Sequence, residues 1–496
     1  MSESTASPLS EEAALRAEVD ASARWPVLFF LTSGMLWLVV AILLGAWASV
    51  KLVFPGFLDV TSLLNYGRLQ PMHLAAFIYG WGFNVAFGVI FWMTARLSKV
   101  AIRNPISLLV AAGVWNMTVS FGLLGILFGY GSGMELMEFP IGIWPVLIVT
   151  QVYLGGQLVA IFRSRRDEKP FVSMWYILGS VFWFPWIAIT ALLLTEVFPS
   201  AAVMNSAVNA WYQSNLLLLW FGSIGLAVAY YLIPKITNKP IHSYSLSFIG
   251  FWGIAVLAGW SGMYALNGGP LPVWLPGVSA AAAFIMLIPI SVIAVNHHMT
   301  AQGRMALVKY SPTLRFTVFG TISFTVLGGV AALMSLFTMS QYAQFTIAKI
   351  GYQFLVLYGF FTMVMFGAIY FIVPRLTGRE WVSGKMIGFH FLFNAYGTVF
   401  MLIVTVIGGI QQGSGAYDRP WKLSHDFVQS YLAMRCVLWL FLLSANAVYF
   451  YHLVKLAFVK SEADQGPTLF QKMPSKLKSV VEGQEEPAVE GGTIQA

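Results

Sequence analysis

Twelve long runs of apolar residues restrict the fold of this chain more than any other feature of its sequence. Each run holds about 20 mostly apolar residues, the length that an α-helix needs to cross the hydrocarbon core of a bilayer. The runs do not alternate in polarity as the strands of a transmembrane barrel do. The sequence therefore predicts an all-α integral membrane protein with spans at 27–48, 72–95, 106–129, 141–162, 173–195, 209–233, 246–266, 275–297, 316–338, 347–374, 387–411 and 429–456.

The composition agrees with a lipid-facing surface. Only 10% of the 496 residues are charged and 58% are hydrophobic, whereas a soluble domain carries roughly 25% charged residues. A chain so poor in charge cannot coat a water-exposed surface. The net charge of +8 does not indicate nucleic-acid binding, because the basic residues lie between the spans, where they orient a membrane protein.

The distribution of these basic residues predicts the orientation. The loops after even-numbered spans contain 15 Lys and Arg residues, and the loops after odd-numbered spans contain four. The positive-inside rule then places both termini in the cytoplasm. We divide the chain into a cytoplasmic N-terminal segment (1–25), a membrane domain (26–458) and a cytoplasmic tail (459–496), whose polar composition predicts disorder.

Ionisable residues inside a membrane are costly, so they mark functional positions by default. No Asp or Glu occurs between Glu196 and Glu380, so spans six to ten offer no carboxylate for a proton relay or a cation site. Arg435, in the last span, needs an anion or another acceptor, which a heme propionate, a protein carboxylate or a backbone carbonyl could supply. Lys349 opens the tenth span and is either a residue that snorkels to the interface or a buried amine.

The histidines taken alone give a weak signal. His73, in the string GRLQPMHLAAFIYGWGFN of the second span, is either a packed core residue or a heme ligand, and its surroundings favour the core. His297 and His298 end the eighth span. Adjacent side chains on a helix point about 100° apart and seldom share a metal, so we interpret this pair as interfacial.

Several strings in order resemble subunit I of the heme–copper oxidases, most closely the cbb3-type enzymes, with the nitric oxide reductases as the nearest relatives. The likeness runs from about residue 60 to residue 455. The strings are GRLQPMHLAAFIYGWGFN, GMELMEFP, WYQSN with YYLIPK, HSYSLSFIGFW, WSGMYALNGGPLPVW, SPTLRF, FTIAKIG with GAIYFIVPRLTGRE, and HFLFNAYGT. This resemblance implies the same twelve-helix fold.

The resemblance also implies where the six metal-ligating histidines of that family would lie, and only one of them is present. His73 falls on a ligand of the low-spin heme b. The other five family positions, three for copper or non-heme iron, one for the high-spin heme and one for the low-spin heme, fall on Ser214, Tyr264, Ala265, Lys349 and Gly351 respectively.

The resemblance therefore implies the family fold without its dinuclear metal centre. No copper and at most one heme b are expected, with Arg435 as the propionate partner and Lys349 as an alternative nitrogen ligand. Three interpretations remain open. The chain is a non-catalytic subunit or scaffold of the bacterial cytoplasmic membrane, associated with a membrane-anchored c-type cytochrome or other respiratory subunits. Alternatively, it is a residual heme b protein for electron transfer or gas binding, or a transporter that reuses the scaffold.

Overall fold

The computed structural model describes residues 8–198, 202–418 and 421–459, and of residues 8–10, 416–418 and 421–427 only the backbone. Its regular elements are helical, and twelve are long and apolar enough to cross a membrane. All twelve overlap the predicted spans, so the predicted fold class is confirmed. They are α1 (Pro8–Val53), α2 (Tyr66–Ser98), α3 (Pro105–Leu127), α4 (Ile141–Arg163), α5 (Val172–Val197), α6 (Ala202–Thr237), α7 (Tyr244–Leu266), α8 (Trp274–Ala301), α9 (Pro312–Ser335), α10 (Ala348–Thr377), α11 (Gly384–Asp418) and α12 (Trp421–Phe458).

Helix α1 begins well before the first predicted span, so most of the predicted N-terminal segment is helical. Val19 and Ala23 in this extension are buried. The Asp20 carboxylate accepts hydrogen bonds from Trp92 Nε1 at 3.0 Å and Arg96 Nη1 at 3.2 Å. These contacts with α2 extend the helix beyond the apolar run. The tail predicted for 459–496 lies, except for its first residue, outside the described residues, and the orientation in the membrane stays a prediction.

Three helices, α2, α6 and α10, form the centre of the molecule. In their most apolar stretches, 94%, 100% and 100% of the residues are buried, against 33–44% in the other nine spans of the described chain. Each of the three contacts the other two. The links between them include a stacked Phe83–Trp220 pair at 4.4 Å, a Phe221–Phe361 pair at 4.8 Å and a hydrogen bond from Trp81 Nε1 to Thr362 Oγ1 at 2.9 Å.

Each central helix also contains a π-helical turn, at Ala76–Gly82 in α2, Leu216–Gly222 in α6 and Leu355–Thr362 in α10. Such turns are rare in proteins, and those that do occur are often found at functional sites. They begin shortly after three of the positions that the sequence singles out, His73, Ser214 and Gly351. The backbone irregularities thus mark the same region of the bundle as the family's ligand positions.

Candidate functional site

The His73 side chain is held in one orientation by α1 and α12. Its Nδ1 lies 2.7 Å from the carbonyl oxygen of Ala41, so Nδ1 carries the proton and Nε2 keeps its lone pair. A Cβ at Gly45 would come within 2.6 Å of the ring, and Trp439 meets the ring edge-on at 5.2 Å. A backbone carbonyl on one ring nitrogen is the arrangement that orients histidine for metal ligation through the other.

Arg435 lies beside His73 in the same small cavity. Its side chain is 3% exposed, and neither Nε nor Nη1 has a hydrogen-bond partner in the described part of the chain. Tyr66 is within hydrogen-bonding reach of the guanidinium group, but a phenol does not neutralise its charge. A buried cation without a counter-charge is costly. The pairing of Arg435 with an anion stays a prediction.

Gly351 occupies the position where the family has its other ligand of the low-spin heme, and it faces helix α11. A Cβ on Gly351 would lie 2.2 Å from Thr405 Oγ1, so the glycine allows α10 and α11 to pack closely. There is no room here for a larger side chain without movement of α11. A glycine side chain has no donor atom, so position 351 of helix α10 would offer no ligand to a metal.

The remaining family positions meet at a second cavity of about 380 Å³, whose lining includes Ser214, Tyr264, Ala265 and Lys349. The structure thus brings together the four positions that the resemblance grouped at the dinuclear centre. Ser214 Oγ lies 2.8 Å from Ser261 Oγ. No group of three His, Cys, Asp or Glu side chains is placed to hold a metal ion among the described residues.

Lys349 forms an ion pair that the sequence analysis did not predict. Its Nζ lies 2.5 Å from Glu135 Oε2, and the two side chains are 43% and 34% exposed. An ammonium group paired with a carboxylate has no lone pair to offer a metal. The pairing therefore disfavours Lys349 as a nitrogen ligand.

An amide network extends this ion pair. Gln353 Nε2 donates to Glu135 Oε1 at 2.8 Å and more weakly to Gln213 Oε1 at 3.4 Å. Gln213 Nε2 donates to Asn209 Oδ1 at 2.6 Å, and Asn209 Nδ2 donates to the Glu135 carbonyl oxygen at 3.0 Å. Helices α6 and α10 are thereby joined to the loop after α3. The absence of carboxylates from spans six to ten was the available signal, because it requires a carboxylate counter-charge for Lys349 to come from another part of the chain.

The same loop holds a second carboxyl group that sequence reasoning missed. Glu138 is 4% exposed, and its Oε2 has no hydrogen-bond partner in the described chain. Burial raises the pKa of Glu138 to about 8, and the charge of Glu135 acts in the same direction, while Lys349 opposes it. The raised pKa favours the neutral form of this carboxyl group, which lowers the cost of burying it.

The interfacial interpretation of the histidine pair in α8 is wrong for one of its members. His297 is 6% exposed, and its ring lies 4.4 Å from that of Tyr230. His298 is exposed. The physical reason is the rotation of about 100° between neighbours on a helix, which turns one ring into the bundle and the other away from it.

The fold and site define a multi-pass membrane protein with three buried central helices, a buried histidine and an adjacent polar cavity. Comparison with known proteins identifies the family. The chain belongs to the Cytochrome C and Quinol oxidase polypeptide I family, whose model matches residues 26–445. The resemblance to the heme–copper oxidase superfamily, including its cbb3-type members, is confirmed.

Known relatives match most of the chain at low identity. The chain is 26% identical over 450 residues to the cytochrome c oxidase subunit 1 homolog of Agrobacterium tumefaciens (strain T37), a match that covers 87% of this chain and 83% of that protein. It is 24% identical over 411 residues to the Cbb3-type cytochrome c oxidase subunit CcoN1 of Stutzerimonas stutzeri, which covers 80% and 85%.

A solved structure shares the fold. A chain from the electron cryo-microscopy structure of a heme–copper terminal oxidase dimer superposes with a TM-score of 0.69. The match covers 94% of this chain and 90% of that one, at 13% identity. At that identity the similarity shows the fold alone.

Proposed function

We propose that this chain is a non-catalytic homologue of cbb3-type cytochrome c oxidase subunit I that acts as a membrane subunit or scaffold beside respiratory electron-transfer components. The observation that carries the proposal is the Lys349–Glu135 ion pair in the 380 Å³ cavity. A copper or non-heme iron centre needs several imidazoles or other donors that converge on one point. Serine, alanine and an ammonium group do not provide such a set, and the ammonium charge has the same sign as a metal ion.

The first test is metal content together with oxygen consumption. The protein purified from membranes in mild detergent is expected to contain copper far below one atom per chain. It should consume oxygen at the background rate when an electron donor is supplied. A cbb3-type oxidase prepared in parallel is the positive control. Stoichiometric copper with turnover above background would contradict the proposal.

The proposed association with a c-type cytochrome can be tested by detecting covalently bound heme. This chain contains one cysteine, so it has no CxxCH motif for covalent heme attachment. Covalent heme that stays with the purified complex on a denaturing gel must therefore belong to a partner subunit. We expect such a band at a fixed ratio to this chain, and a chain that purifies alone under crosslinking would contradict the scaffold role.

A second candidate function, a residual heme b protein, is favoured by one further observation. The free lone pair of His73 and the uncompensated guanidinium of Arg435 line the same cavity. An imidazole nitrogen and a buried cation are the groups that would hold the iron and a propionate of heme b. When bound, such a heme supplies an iron that carries one electron or binds a gas.

The donor groups fit a heme, but the open space is small. The cavity measures about 80 Å³, whereas sites for small molecules and cofactors measure roughly 300–1,000 Å³. A porphyrin would therefore need lining side chains such as Phe354 and Met401 to rotate. Because Gly351 is packed against Thr405, the described residues would offer the iron a protein ligand at His73 and none at position 351.

A reduced-minus-oxidised absorption spectrum and a pyridine hemochrome assay test this candidate. About one heme b per chain is expected for a heme held by one histidine, and His73→Ala should abolish it. His298→Ala, which removes an exposed histidine of α8, is the matched control and should keep the heme. A heme-free protein would remove this candidate and leave the scaffold role, and two hemes per chain would contradict the assignment of Gly351.

A further inference from the structure

A third cavity, also polar, lies at the other end of the central helices from the cavities around His73 and Lys349, where α1, α2, α6 and α7 meet. It measures about 410 Å³, and five basic residues contribute to its lining against two acidic ones. The loops on this side carry most of the chain's basic residues, so the cavity lies at the end that the positive-inside rule assigns to the cytoplasm. The basic residues are Arg16, Arg96, Lys99, Lys235 and Lys239, and the acidic residues are Glu12 and Asp167.

The carboxylates nearby do not neutralise all of this charge. Glu12 pairs with Arg16, Asp20 with Arg96 at 3.2 Å and Asp167 with Lys99 at 3.1 Å. The two remaining cations, Lys235 and Lys239, have no carboxylate within 4.0 Å in the described part of the chain. Lys239 Nζ donates to the carbonyl oxygen of Gln302 at 2.6 Å. The cavity therefore keeps an excess of positive charge.

Arg96 is fixed in place beside these lysines. Its Nη1 donates to Asp20 Oδ2 and to the Arg16 carbonyl oxygen, and its guanidinium carbon lies 5.3 Å from the centre of the Trp92 ring. The side chain is only 13% exposed. A guanidinium held in this way is oriented before a ligand arrives, so little conformational entropy is lost when an anion binds.

Most of the remaining lining is apolar. It includes Leu15 and Val19 of α1, Leu97 at the end of α2, and Phe171 and Ile241 from the neighbouring loops. A free inorganic anion gains nothing from such a wall. A molecule with an anionic head and an apolar chain matches both parts of the cavity. Basic pockets between transmembrane helices on the cytoplasmic side bind the phosphate groups of anionic lipids.

We propose that this cavity binds the phosphate group of an anionic phospholipid, with Lys235 and Lys239 as the charged contacts and the N-terminal turns of α1 as its cover. The excess charge, the fixed guanidinium and the apolar wall together select an anionic amphiphile over a zwitterionic one. The site is separate from the cavities around His73 and Lys349, and it does not depend on whether the chain is catalytic.

The test compares Lys235→Gln/Lys239→Gln with Arg103→Gln/Lys385→Gln. The control pair makes the same charge change at two exposed positions that do not line the cavity. Purified full-length protein in detergent is titrated with phosphatidylglycerol, phosphatidylcholine or inorganic phosphate while thermal unfolding is recorded. Native mass spectrometry counts the retained lipids.

Phosphatidylglycerol should raise the unfolding temperature of the unaltered chain and of the control, and phosphatidylcholine should not. The cavity variant should bind phosphatidylglycerol about 25-fold more weakly, because each basic residue near an anionic lipid contributes roughly a factor of five in affinity. An unchanged response of the cavity variant would overturn the proposal. An equal response to inorganic phosphate would show that a free anion, not a lipid, is the ligand.

Discussion

Gly351→Ala is expected to lower the stability of the folded protein by about 1–3 kcal/mol, the usual cost of overpacking a close contact. The added methyl group would lie 2.2 Å from Thr405 Oγ1 and 3.3 Å from Thr405 Cβ. Because Thr405 is branched at Cβ and its hydroxyl donates to the Met401 carbonyl oxygen at 2.7 Å, it cannot simply turn aside. Helices α10 and α11 must then move apart.

Two companion variants make this result specific. In Gly388→Ala, a variant of α11, no atom lies within 4 Å of the new methyl group. The stability of this variant should stay unchanged or rise by up to about 1 kcal/mol, because alanine has the higher helix propensity. In a Thr405→Ala background, the cost of Gly351→Ala should largely disappear, since residues in contact show coupling energies of about 0.5–3 kcal/mol. Equal losses in both backgrounds would contradict the contact.

The measurement can use the single cysteine of the chain. Cys436 is partly buried, and its Sγ lies 3.2 Å from the Ser49 carbonyl oxygen. A thiol-reactive dye added to the protein in detergent should label Cys436 fully when α1 and α12 separate. The temperature of labelling therefore reports unfolding of the helix bundle without an introduced probe.

Arg435→Met is expected to stabilise heme-free protein, on the order of 3 kcal/mol, because it removes a buried charge that no carboxylate among the described side chains compensates. The contact with Tyr66 is lost at the same time, which offsets about 1 kcal/mol of the gain. Methionine keeps an unbranched apolar stem in place of the arginine stem. Thermal unfolding followed by tryptophan fluorescence is the suitable measurement, because the dye site at Cys436 adjoins the substitution.

Arg435→Lys is the control for charge and should show no comparable gain. In protein that carries heme, Arg435→Met should have the opposite effect and lower the heme content, because a propionate would lose its counter-charge. A loss of stability in heme-free Arg435→Met would mean that the guanidinium is already compensated, which would contradict the described environment of Arg435.

The sequence predicted the spans because their length and apolar character follow directly from bilayer thickness. It did not predict the π-helical turns, since a segment such as Ala76–Gly82 has no composition that separates a π-turn from an α-helix. The helical N-terminal extension was also missed. Its stability depends on contacts such as Asp20 with Arg96, which are 76 residues apart in the chain.

The candidate site was predictable in part. The family motifs placed Ser214, Tyr264, Ala265 and Lys349 at the metal centre, and the structure brings these four positions to one cavity. What replaces the metal could not be read from the motifs, because the partner of Lys349 is a loop residue 214 positions away. Which ring nitrogen of His73 carries the proton likewise depends on Ala41, which belongs to another helix.

The burial of α2, α6 and α10 has a mechanical consequence. A bilayer of unsuitable thickness acts on the apolar length of the helices that touch lipid, which tilt or kink to match it. Here the nine surrounding spans contact the lipid and adjust to its thickness, while the three central helices are held by contacts with protein. The cavities beside His73 and Lys349 should therefore keep their shape when the same protein is reconstituted in membranes of different lipid chain length.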